Sequence, residues 1–88
     1  MAWINKNEII AALVRVALVG TVVKAGFGRY AENYEVVQSV ESYKLGLRDL
    51  RSGQIVIERE YSPNDDIDVA ELFKGVLLLR DSLGIPKD

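Results

Sequence analysis

From Ile9 to Val23 the chain is apolar at almost every position, with Arg15 the only charge in the stretch. Asn5 followed three residues later by Glu8 is a helix-start pair. The Asn oxygen can accept from an orphan backbone N–H, and Glu favours the positive helix end. The pattern predicts a helix through "EIIAALVRVALVGTVVK", with Lys24 in its last turn, Gly26 or Gly28 just beyond as the stop signal, and Phe27 with Tyr30 stapling the reversal to the core. Valines are frequent and Gly20 lies inside, so burial rather than propensity has to hold this helix together.

At about 100° per residue, Ile9, Leu13, Val16 and Val23 fall on one side, with Ala12, Val19 and Gly20 nearby. Ile10, Val14, Leu18 and Val22 fall on the other. A helix apolar almost all round is expected to be buried all round, in a core, between subunits or in a membrane. The fifteen residues from Ile9 to Val23 fall short of the roughly 20 that span a bilayer, and Arg15 would sit near mid-membrane. Subunit association accounts for the same residues with less strain.

Alternation replaces this pattern further on. Leu45 and Leu47, then Ile55 and Ile57, alternate with polar or small residues, and "DLRSG" between them carries turn chemistry with Gly53 free to take positive φ. A β-hairpin follows, with those four apolar residues on one face and Lys44, Arg48, Glu58 and Glu60 mostly on the other. The preceding "NYEVVQSVESY" suits a strand by its valines and tyrosines, although Val36, Val37 and Val40 also fit a short helical stripe. Read as a strand, it continues into the hairpin through a bend or bulge near Ser42, where apolar parity switches.

In "SPNDDIDVAE", Ser62 with Pro63 competes with Asp68 and Glu71 as a helix start. A second helix is expected from about Asp66 to Leu83, stopped by Gly84 and Pro86. Val69, Leu72, Phe73, Val76, Leu79 and Leu83 form its apolar face. Leu78 lies with Glu71 and Lys74 on the polar side, while Arg80 falls on the apolar side near the helix end, where it can reach terminal carbonyls.

The chain therefore reads as one α+β domain over residues 1–88: an N-terminal helix, a two- or three-stranded antiparallel sheet containing a β-hairpin, and a C-terminal helix. Both helices are expected on one sheet face. A domain of 88 residues makes a thin core, and cysteine and histidine are both absent, so disulfides and most metal staples are not open to it. Oligomerisation is the remaining route. The expected interface is Trp3, Ile10, Val14, Leu18, Val22, Phe27 and Leu78, in a homodimer or higher oligomer.

Net charge is −2, unevenly placed. Residues 1–33 hold four cations and two acids; residues 62–88 hold three and six. The asymmetry is too small for a general nucleic-acid footprint, though it suits an oriented pairing of subunits. "MAWINKNE" lacks the basic-then-apolar pattern of a secretory leader, so a cytoplasmic setting is the expectation.

Without His or Cys, a Ser–His or Cys–His nucleophile cannot be assembled. Asn64, Asp65, Asp66 and Asp68 offer oxygens but lack the spacing of an EF-hand loop, and a helix dipole accounts for acids at that place. No catalytic, metal or cofactor residues are assigned, and the chain is read as a non-enzyme. "KAGFGRY" shares glycines and an aromatic with the RNA-recognition strand signature, but Arg29 stands where an aromatic belongs. As a phosphate loop it lacks a preceding strand and a following "GK[ST]". Candidate nucleic-acid or ligand contacts are Lys24, Arg29, Tyr30, Lys44, Arg48 and Arg51. In size and style the chain resembles small reading frames of phages and integron gene cassettes, a likeness that transfers no residue. The expected role is an oligomeric interaction or small-ligand-binding module whose partners are a second copy, another protein or a small apolar ligand. Weak nucleic-acid binding is the alternative.

Overall fold

The computed structural model describes residues 6–39, 41–62 and 65–86. Helix α1 runs Lys6–Phe27, followed by a 3₁₀ turn over Gly28–Asn33, strands β1 (Tyr34–Ser39), β2 (Lys44–Asp49) and β3 (Ile55–Glu60), and helix α2 (Val69–Ser82). The strands form one antiparallel sheet in the order β1-β2-β3. Asn5 and Trp3 lie outside the described residues.

Gly26 does not stop α1. The helix passes through it and ends one residue later, where Gly28 takes φ 60°. Gly26 has a packing role instead, because α2 comes so close there that no side chain fits. Phe27 turns inward, 1% exposed, and meets the Tyr34 ring edge-on with centroids 5.2 Å apart.

Residues 34–43 do not continue into the hairpin as one bent strand. The chain reverses fully over residues 41–43, with Tyr43 at φ 53°, and β1 pairs with β2 so that Ser39 faces Lys44 and Val36 faces Leu47. This register opposes even residues of β1 to odd residues of β2, which is the physical source of the parity switch. The irregularity in the sheet lies elsewhere, between Leu47/Arg48 of β2 and their β3 partners. Leu47 faces Ile57 as expected, but Leu45 faces Arg59, and the skipped Val56 places Ile55 opposite Arg48. Ile55 therefore lies over Gly46 on the outer sheet face, its Cγ2 3.4 Å from where a Gly46 Cβ would stand.

Asp68 caps α2, its carboxylate accepting from the Ala70 and Glu71 N–H groups. At the other end Ile85 N–H donates to the Arg80 carbonyl and Gly84 N–H to that of Asp81, a Schellman closure with Gly84 at φ 71°. Arg15 Nη2 donates to the carbonyls of Ser62 and Asp65 at 2.8 and 2.7 Å, tying the middle of α1 to the approach to α2. Arg80 Nη1 reaches the Gly26 carbonyl at the end of α1. These two ties set α2 alongside α1 in the same direction. Arg80 thereby places a cation at two helix C-termini.

Val19, Val22, Val23 and Phe27 of α1, Leu45 and Leu47 of β2, and Val76 of α2 make the core. Both helices lie on the sheet side that carries Leu45 and Leu47: α1 rests against β1, and α2 packs chiefly on α1 while its Val76 joins the same buried cluster as the two leucines.

Candidate functional site

Among the described residues, two incompletely covered surfaces stand out. The first is an open groove between α2 and the β2–β3 hairpin, of about 340 Å³, within the size range of small-ligand sites. Its floor is the core itself: Val19, Val23, Leu45, Leu47 and Val76. The inward alternation of β2 delivers both leucines to this floor, and the heptad-like spacing of Leu72, Val76 and Leu79 supplies the α2 wall. Ile57 and Leu78 stand at the lips, 49% and 64% exposed.

Polar groups gather at the mouth, where Arg59, Tyr61, Glu71 and Lys74 line the groove. A hydrogen bond with Tyr61, reinforced by electrostatic attraction that includes Glu71, pushes the Arg59 pKa above its usual value. The Tyr61 ring also lies 5.9 Å from the Arg15 guanidinium carbon. Lys74 is exposed and makes no ion pair among the described residues. Gly75 also lines the groove, and a Cβ there would meet nothing within 4 Å.

The second surface is the outward face of the first half of α1. Ile9, Ile10, Leu13 and Val14 are 44%, 49%, 64% and 61% exposed; the two sides expected for Ile9 with Leu13 and for Ile10 with Val14 are adjacent and form one broad stripe. The helix was expected to hide its whole circumference; within one chain it hides the side bearing Ala12, Val19, Val22 and Val23. Arg15 decides the rotation, because its guanidinium has to reach the Ser62–Asp65 turn. Val22 and Phe27, expected at a subunit boundary, are core residues and closed to a partner. Ile10, Val14 and Leu78, also assigned to the boundary, are exposed within one chain, Leu18 is half-buried, and Ile9 and Leu13 join the exposed set.

The candidate cations do not converge on one surface. Arg29 lies over the Tyr30 ring and donates to its hydroxyl at 2.9 Å. Lys44 pairs with Glu58, and Arg51 with Asp49 in the hairpin turn. Arg48 faces Glu35 across the sheet, and Lys44 faces Glu60. Lys24 is exposed on α1. The outer sheet face is thus a mosaic of both signs, unlike the continuous basic track that phosphate binding rewards.

No family model, curated protein or solved structure matches this chain.

Asp65 and Asp68 accept from backbone N–H groups of Ser62, Ala70 and Glu71, so the acidic run organises the start of α2. Among the described residues no three His, Cys, Asp or Glu side chains converge as a metal site would require. Residues 7–33, α1 with its 3₁₀ turn, are long and apolar enough to cross a membrane by length and composition, and 28% of the most apolar window is buried. Arg15 in its middle is committed to loop carbonyls of the same chain.

Sequence reasoning missed the groove. Leu72, Val76 and Leu79 were legible as a buried face, but the open space between α2 and the β2–β3 hairpin depends on tertiary spacing. The one available signal was Gly75, a glycine inside a predicted helix with no capping duty.

Proposed function

We propose that this protein is a non-enzymatic interaction module that works as a self-associated oligomer, a homodimer in its simplest form, joined through the outer stripe of α1. The observation that carries this reading is the run of Ile9, Ile10, Leu13 and Val14, each at least 44% exposed on adjacent turns of one helix. Each such half-exposed aliphatic side chain gains roughly 1 kcal/mol on burial, and a two-fold pairing brings the set from both copies into one seam. Single exposed leucines are ordinary on a monomer; four in one stripe call for a cover.

Sedimentation velocity over a micromolar concentration series tests this. The expected result is a reversible dimer that Leu13→Glu and Val14→Glu convert to monomer with an unchanged circular dichroism spectrum. A strict monomer throughout would sink the proposal. Co-sedimentation of the wild type with phosphatidylcholine vesicles, lost in Leu13→Glu, would give the stripe to a membrane instead. Nucleic-acid binding has less support, since Lys44 and Arg48 share their sheet face with Glu35, Glu58 and Glu60; steeply salt-dependent affinity for a single-stranded oligonucleotide would reverse that judgement.

A further inference from the structure

The groove has three properties that general packing does not account for. Its floor consists of residues the fold otherwise buries, among them Leu45 and Leu47, at 6% and 3% exposed. Its α2 wall contains Gly75, which weakens a helix interior by about 1 kcal/mol relative to Ala, although a Cβ there would meet nothing within 4 Å. Gly26, by contrast, is demanded by Val76. What the missing side chain at position 75 does is leave the groove open.

The third property is charge. Arg59 and Lys74 at the mouth face one carboxylate, Glu71, so the groove entrance carries a net positive charge on a chain whose overall charge is −2. Glu58 and Glu60 are turned away, opposite Gly46 and Lys44 on the outer sheet face. Tyr61 adds a phenol at the same mouth. An apolar floor with a few convergent polar groups and one uncompensated cation matches a small molecule with an apolar body and a single anionic head.

We propose that the groove between α2 and the β2–β3 hairpin binds a small amphipathic carboxylate, its chain on Leu45, Leu47 and Val76 and its head at Lys74 and Arg59. The site is complete within one chain and does not rest on self-association. Lys74, which makes no ion pair among the described residues, supplies the positive charge, and Arg59 and Tyr61 line the same groove. Gly75 supplies the room along the α2 wall.

Titration of the 15N-labelled full chain with decanoate, below its micellar concentration and at neutral pH, tests the proposal, with decanol as the uncharged control. Saturable shifts confined to Leu45–Leu47, Ile57 and residues 72–79 are expected. Lys74→Gln should weaken decanoate about threefold to fivefold, the size of an exposed ion pair, and leave decanol unchanged. Gly75→Leu should fill the groove and abolish both, while Leu13→Glu should bind as the wild type does. Absence of saturable binding, or equal affinity in wild type and Gly75→Leu, would overturn the site. An effect of Lys74→Gln on both ligands alike would overturn the anion assignment. Loss of decanoate binding in Leu13→Glu would move the site to a subunit boundary. A weakened dimer in Gly75→Leu would make a second copy the groove's occupant, against this proposal.

Discussion

A Cβ built on Gly26 would lie 2.5 Å from Val76 Cγ1, so the two helices approach this closely here only because position 26 has no side chain. Val76 is β-branched and buried at 6% exposure, which leaves it little freedom to yield. Gly26→Ala should therefore destabilise the protein by about 1–3 kcal/mol despite alanine's better helix propensity. Gly75→Ala, in open space on the other helix, should stabilise it by up to about 1 kcal/mol. Urea denaturation of the two variants side by side checks the opposite signs.

Arg15 joins α1 to the Ser62 and Asp65 carbonyls and holds α2 at its parallel station. Arg15→Met keeps the aliphatic stem and removes both bonds, with an expected loss of about 1–2 kcal/mol. Amide exchange should accelerate in residues 65–72 more than in the sheet. Uniform acceleration would mean that Arg15 contributes only through the general stability of α1.

Asp68 satisfies two of the orphan N–H groups at the start of α2. Asp68→Ala should cost about 1 kcal/mol, and Asp68→Ser should recover most of it, because serine also accepts from those groups. Thermal melts of the three proteins give the comparison.

The Asp49 carboxylate accepts from the Arg51 N–H at 2.8 Å. That bond, aided by the Arg51 charge and opposed by desolvation, holds its pKa below the usual aspartate value. A carboxyl whose folded pKa is depressed adds stability above its unfolded pKa and loses it as pH falls through the folded one. The denaturation midpoint should therefore decline below about pH 4, and Asp49→Asn should flatten part of that acid limb. An identical acid limb in the variant would assign the decline to other carboxylates.

Much of the framework is legible in the sequence. The apolar run, the "DLRSG" turn and the Gly84–Pro86 stop each reflect short-range chemistry: periodicity, positive φ and orphan-group capping act within a few residues. Asp68 and Gly84 do what their positions in the chain imply. Arg80, out of place on an apolar stripe, meets a terminal carbonyl of the other helix, that of Gly26 in α1, rather than those of its own helix end.

Other features arose only from long-range geometry. Gly26 looks the same in sequence whether it stops a helix or admits Val76, and distance between helices decides between these. Ile55 and Ile57 alternate perfectly, yet the skipped residue Val56 sends them to opposite sheet faces. Local pattern sufficed for the two helices, the β-hairpin, the Gly84 stop and the excess of apolar surface on α1; it left residues 33–43 open between strand and helix and put the start of α2 near Asp66 rather than at Val69. Tertiary structure decided which side of α1 remains outward, because Arg15 had to reach loop carbonyls 47 and 50 residues away. It also decided that α2 packs chiefly on α1, and that the spacing leaves a groove between α2 and the β2–β3 hairpin.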